Sequence, residues 1–342
     1  MIMNMTVLSL KALTLILVCA LIGSCQQKTT SLSLSNGIVN PLVPQRADPW
    51  VHKTDDGTYY LIATAPEYDR IEIRKANTIA DLGMVEPTVV WRKHETGVMG
   101  HHIWAPELHR IDGKWYIYFA AGDAENHWNI RIYALSNSSE DPTTGEWVEE
   151  GRIYTEQDSF SLDATTFEYK GKRYFIWTQN VGRGTSLLIS EMESPTKLKG
   201  PEVVLTDPTY DWETRGYKVN EGPAILQKNG RVFLTYSASA TDHNYCIGML
   251  WLDENTDPMD STAWNKSEKP VFYTSEKLRR YGPGHNSFTT SEDGEKDVMI
   301  YHARVYKDLV GNPLTDPNRH TRARVIEWDK NGFPDFRQDQ GD

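Results

Sequence analysis

The chain has 342 residues, 47 acidic against 36 basic, for a formal net charge of −11 at pH 7. That balance excludes a nucleic-acid surface built on excess positive charge and suits a neutral or cationic ligand. Its 11 tryptophans and 17 tyrosines exceed what a core requires, and flat aromatic faces suit sugar rings as well as sheet packing.

The N-terminus reads MIMNMTVLSLKALTLILVCALIGSCQQ, with Lys11, an apolar stretch from Ala12 to Ile22, then Gly23 and Ser24 before Cys25. The stretch is shorter than the ~20 residues of a spanning helix and has the layout of a secretion signal. Ile22-Gly23-Ser24-Cys25 resembles the bacterial lipoprotein box. This predicts a signal over residues 1–25 and a lipidated Cys25, with an ordinary signal cut elsewhere as the alternative. Residues 26–38 read as a polar tether. The expected location is the bacterial cell envelope, with the membrane reached only through the lipid anchor. Cys246 is then left alone, so no disulfide framework is available.

From residue 39 to 342 one plan recurs: a polar residue, a short apolar strand, a glycine turn and an aromatic-rich strand. It appears in DPWVHKTDDGTYYLIATA from Asp48, WAPELHRIDGKWYIYFAAG from Trp104, LDATTFEYKGKRYFIWTQ from Leu162, EGPAILQKNGRVFLTYSAS from Glu221 and HNSFTTSEDGEKDVMIYHAR from His285. The turn glycines Gly57, Gly113, Gly171, Gly230 and Gly294 recur every 56–64 residues. Asp56-Gly57, Asp112-Gly113, Asn229-Gly230 and Asp293-Gly294 are dipeptides favoured by tight hairpins, where both central residues take positive φ. The flanking runs are aromatic and β-branched without helical spacing. Five units of about four strands predict an all-β fold, a single five-bladed β-propeller.

In a propeller the innermost strands line a channel, so residues at one phase of the repeat converge. Nine residues before their turn glycines stand Asp48, Trp104, Leu162, Glu221 and His285, with Asp163 one place later. Buried Asp and Glu are rare unless paired or used. A water-filled channel lined by solvated charges is the bland reading; paired carboxylates across a cleft for glycoside hydrolysis is the sharper one. Val219, Pro223 and Ala224 are expected to wall Glu221 and keep it protonated, with Asp48 as its ionised partner and Asp163 as a third carboxylate raising a neighbour's pKa by repulsion.

RADPWV, HIWAPELHRIDGKWYIYFAAG, SFSLDATTF, VNEGPAIL and YGPGHNSF, in this order from about Gln45 to Trp328, resemble glycoside hydrolase family 43, five-bladed propellers with an Asp, Asp, Glu triad. The resemblance implies an inverting hydrolase in which Asp48 activates water, Glu221 is the general acid, and Asp163 tunes and orients that acid. It implies that His285 contacts a channel metal ion, often Ca2+, directly or through water, although the chemistry needs no cofactor. It also implies that Arg304 in YHAR lies near the bound sugar, a structural salt bridge being its alternative. Trp50 and Trp104 border the expected pocket, where core packing and substrate contact are both open. His101, His102 and His109 lack zinc-ligand spacing and read as pocket or surface residues.

QRADPWV, APEYDRIEIRKA, VVWRKHE, SLDATTF and SASATDHNYCIGML resemble exo-acting α-L-arabinofuranosidases. The resemblance implies a monomer acting on arabinan or arabino-oligosaccharides of the plant cell wall. A β-xylosidase of the same family and a non-catalytic glycan-binding propeller are the alternatives.

Overall fold

The computed structural model describes residues 37–342. The predicted signal, Cys25 and nearly all of the tether lie outside the described residues. Cys246 is buried and free, and no described helix is long and apolar enough to cross a membrane.

Five antiparallel sheets follow one another along the chain as the blades of a β-propeller. Their innermost strands are Ala47–Lys53, His101–Ile111, Ser161–Tyr169, Asn220–Lys228 and Tyr281–Thr290. Within each blade the next two strands pair outward in sequence order, as Tyr59–Thr64 and Arg70–Ala76 do in the first. Strands alternate faces with period two, and here both faces are buried because each blade has two neighbours. Tyr59 and Leu61 of the first blade meet Val298 and Ile300 of the fifth. Tyr60 and Ile62, on the opposite face, meet Leu108, Trp115 and Ile117 of the second. The other three seams fill in the same manner.

The repeated turns divide into two kinds. Asp112-Gly113, Lys170-Gly171 and Asn229-Gly230 take positive φ at both positions and close two-residue hairpins. The Asp-Gly pairs of the first and fifth blades close longer loops instead, where the aspartate works through its side chain. Asp56 Oδ1 accepts from Thr54 Oγ1 and Thr58 N–H, and Asp293 Oδ1 accepts from Ser291 Oγ and Glu295 N–H.

The ring is closed by the start of the described chain. Leu42 and Val43 exchange backbone hydrogen bonds with Thr321 on the outer strand His320–Val325 of the fifth blade. One turn earlier, Asn40 imitates a strand with its amide, donating to Ala323 O at 2.7 Å and accepting from Ala323 N–H at 2.9 Å. Ala323 is fully buried, so Asn40→Ala leaves a donor and an acceptor unpaired. The expected cost is about 1–3 kcal/mol, read as a lower melting temperature.

Candidate active site

All five innermost strands break register at the same place, near the channel mouth. The breaks fall between Ala47 and Trp50, Trp104 and Glu107, Leu162 and Thr165, Glu221 and Ala224, and Gly284 and Ser287. The first residue of each bulge lies in the left-handed region: Asp48 at φ 53°, Ala105 at 44°, Asp163 at 51°, Gly222 at 56° and His285 at 46°. A β-bulge bends its strand and re-aims a side chain. Five such corners in one ring turn Asp48, Asp163 and His285 toward a common centre. Glu221 is not at this phase: it precedes its corner, as do Trp104 and Leu162, and these three share the wall.

A cavity of about 480 Å³ opens above the corners, with Asp48, Asp163, Glu221, His285, Trp104 and Arg319 among its lining. This is a size suited to a small ligand. Trp104, Phe160, Leu162, Val219 and Leu314 make its apolar surface. Of the residues expected to wall Glu221, Val219 lines the cavity; Pro223 and Ala224 belong to the packed strand behind it.

The carboxylates differ sharply in their surroundings. Asp48 Oδ2 accepts from Thr64 Oγ1 at 2.7 Å, and Oδ1 lies 3.3 Å from each of Arg319 Nη1, His285 Nδ1 and His302 Nδ1. Burial pushes its pKa up, but Arg319, with His285 beside it, outweighs burial and holds it well below the usual carboxylate range. Burial also lowers the pKa of both histidines, His302 to about 3. The lasting positive charge at Asp48 is therefore Arg319. His302 Nδ1 accepts the backbone N–H of Asp48 at 3.1 Å, which places the imidazole proton on Nε2.

Among the described residues no cation stands at contact distance from Glu221. Its Oε1 accepts from the Tyr245 hydroxyl at 2.6 Å. Burial raises its pKa to about 7; the Tyr245 bond opposes this and the charge of Asp48 adds to it. Asp163 accepts the N–H of Gly222 at 3.1 Å, and burial followed by the charges of Glu221 and Asp48 pushes it well above the ordinary range. Asp163 and Glu221 thus hold protons against one another, while Asp48 stays ionised.

Two expected sugar contacts lie elsewhere. Arg304 is buried and spends its guanidinium on Asp316 Oδ1 at 3.2 Å, Thr241 O at 2.6 Å and Pro313 O at 2.8 Å. It braces two segments that carry the cavity residues Thr241, Asn312 and Leu314 instead of facing the cavity itself. Trp50 donates Nε1–H to Leu108 O at 2.8 Å and packs on His109 across the seam between the first and second blades. Trp104 does line the cavity, with Tyr68 edge-on at 5.4 Å. His109 pairs with Glu107 in the buried interior, His101 stacks on His127, and His102 lies between Trp104 and Trp128.

Arg319 and Tyr245 escape the repeat because they come from loops, and Thr64 and His302, although inside the repeated units, stand on the second strands of their blades and not at the phase of the innermost ones. The faint signal for two of them is position: His302 stands in the same YHAR as Arg304, and Tyr245 in SASATDHNYCIGML.

For a metal, His285 offers one ring nitrogen that already faces Asp48 at 3.3 Å and Asp163 at 3.9 Å. Among the described residues no group of three or more His, Cys, Asp or Glu could hold an ion. A directly bound Ca2+, which takes six to eight oxygen ligands, does not fit this donor set.

Residues 38–334 match the family described as Glycosyl hydrolases family 43. An extracellular exo-alpha-(1->5)-L-arabinofuranosidase of Streptomyces avermitilis is 51% identical over 317 residues, 92% of this chain and 66% of that protein. A protein of the same name from Streptomyces chartreusis is 56% identical over 277 residues, 80% of this chain and 84% of that one. In structure, the alpha-L-arabinofuranosidase of Lactobacillus brevis superimposes with a TM-score of 0.85 at 49% identity, covering 88% of this chain and 96% of the other. Thus the chain, which spans 66% and 84% of the two Streptomyces proteins, belongs to glycosyl hydrolase family 43.

Proposed function

We propose that the protein is an exo-acting, inverting α-L-arabinofuranosidase that releases terminal arabinofuranosyl residues from arabinan or arabino-oligosaccharides. The observation that carries the chemistry is the opposite setting of two carboxyls at one cavity: Asp48 held ionised by Arg319, Glu221 held up at about 7 by burial. The 49–56% identity to proteins named arabinofuranosidases supports the sugar.

In this reading Glu221 gives its proton to the glycosidic oxygen as the bond from that oxygen to the anomeric carbon breaks. Asp48 takes a proton from the water that attacks the anomeric carbon from the opposite face. The products are β-arabinofuranose and the shortened alcohol. The enzyme is left with Asp48 protonated and Glu221 ionised, and exchange with solvent resets both. Asp163 acts through position: by accepting the N–H of Gly222 it fixes the corner that follows Glu221. Trp104 offers an apolar wall to the sugar. His285 borders the cavity with Nδ1 3.3 Å from Asp48 Oδ1. These steps use the chain's own groups and water, and no step passes through a channel ion.

Export is part of the proposal, with Cys25 as the lipid-bearing residue of a monomeric envelope protein; the relatives named extracellular support export.

Proton NMR of the soluble domain acting on an equimolar mixture of 4-nitrophenyl α-L-arabinofuranoside and β-D-xylopyranoside is expected to show β-arabinose first. First appearance of α-xylose would move the specificity to a β-xylosidase, and α-arabinose would sink the single displacement. Glu221→Gln is expected to retain fold and oligosaccharide binding while losing at least about a hundredfold in kcat on natural glycosides. Full activity in that variant would remove Glu221 from the acid's role.

The pH dependence follows with its sign. Activity needs Asp48 deprotonated and Glu221 protonated, so kcat/KM is expected to fall as pH rises through about 7. The Tyr245 bond lowers the Glu221 pKa, so Tyr245→Phe is expected to move that descending limb to higher pH. A limb that stays in place in Tyr245→Phe would assign it to another group.

A further inference from the structure

Tyr217 lines the active-site cavity and leaves 66% of its surface exposed. Among the described residues neither its ring nor its hydroxyl has a partner, yet the loop that carries it is fixed on both sides. Arg215 N–H donates to Ser239 Oγ at 2.9 Å, and Ala240 N–H to Arg215 O at 2.9 Å. Thr185 N–H donates to Lys218 O at 3.1 Å, and Ser239 N–H to Val219 O at 3.3 Å. Between them Gly216, at φ 79°, approaches so closely that a Cβ there would meet the Ala240 Cβ at 2.7 Å. A rigid frame that holds an aromatic ring out of the core forfeits its burial within the chain and suits a ligand contact, because little entropy is lost when the ring is covered.

Which part of a glycan meets this ring follows from the chemistry. The proton donor must reach the glycosidic oxygen, so the departing sugar lies on the donor's side of the cavity. Glu221 is four residues beyond Tyr217, and Val219 between them lines the same wall with Gly184 and Thr185. We propose that Tyr217 is the platform for the leaving-group sugar, against which an apolar face of that sugar packs, and that it gives the enzyme its preference for chains of two or more sugars over single glycosides. The assignment rests on the arabinofuranosidase reading and adds to it a specificity residue that touches substrate beyond the cleaved unit.

Methyl α-L-arabinofuranoside leaves the platform empty, whereas linear α-1,5-arabinotriose covers it. Tyr217→Ala is expected to lose about tenfold in kcat/KM on arabinotriose, chiefly through KM, and to stay within about twofold on the methyl glycoside. Tyr217→Phe is expected to restore the difference, and the melting temperature to be unchanged. Equal loss on both substrates, or no loss on arabinotriose, overturns the proposal. Binding separates it from the reading beneath it: arabinotriose Kd is measured by calorimetry for Glu221→Gln with and without Tyr217→Ala. A weakening of about tenfold supports the platform, and equal Kd values overturn it. Failure of the wild type to release arabinose from either glycoside would overturn the hydrolase reading and leave the platform to stand or fall on those Kd values.

Discussion

Two buried carboxyls, Asp48 and Asp163, and a partly buried third, Glu221, share one buried guanidinium, and the chemistry of the cavity follows from that imbalance. Removing a charge from water costs several kcal/mol unless it is paired. One cation can compensate one anion, and geometry decides which: Arg319 Nη1 lies at Asp48 Oδ1. The remaining two carboxyls answer the same cost by keeping protons, which raises both. Ionised and protonated carboxyls are thus separated by the placement of a single side chain, with no need for chemically different groups.

That placement depends on the five register breaks. An undisturbed strand would send Asp48 and Asp163 to one face of the blade, into a seam filled by apolar side chains. The left-handed corner lifts each out of the pleat toward the channel axis. Such a conformation is unfavourable for a residue with a Cβ and persists only where surrounding bonds over-determine it. At Asp48 those bonds are Thr64 Oγ1 to the carboxylate and the backbone N–H to His302 Nδ1. At Asp163 the carboxylate itself accepts the N–H of the neighbouring corner, Gly222, and at His285 the backbone N–H donates to Ser237 Oγ at 2.6 Å. The corners therefore hold one another, and the seams on either side of each blade supply the stability against which their strain is small.

The period of the turn glycines made the architecture legible, because every unit writes the same hairpin into the sequence. It also brought Asp48, Asp163, Glu221 and His285 to one end of the channel, since strand position relative to a turn survives in the spacing. The bulges did not survive there. Nothing in SLDATTF marks Asp163 as left-handed, so the one-residue offset between Asp163 and Glu221 looks like noise in the repeat when it is the difference between a corner and the residue before it. The cations were harder still. Arg304 and Arg319 flank a single loop, and the resemblance points to Arg304; what decides between them is that Asp316, Thr241 and Pro313 occupy its donors. Partners of that kind are set by loop path, which no local pattern encodes.

Loop path also explains why so few side chains must be specified for the sugar itself. Arg304 ties the segment containing Pro313 to the one containing Thr241, and Ser239 Oγ ties the latter to Arg215. Three segments of the cavity wall are thus tied to one another by the side chains of Arg304 and Ser239 acting on main-chain atoms. A cavity built this way is set before substrate arrives, and binding need not order its walls. In the proposed mechanism the energy of covering Trp104 and the exposed rim is then free to orient the glycosidic oxygen at Glu221 and the anomeric carbon toward the water at Asp48, the alignment that single displacement demands. A mobile wall would have to be fixed by the same contacts, and that cost would come out of the orientation.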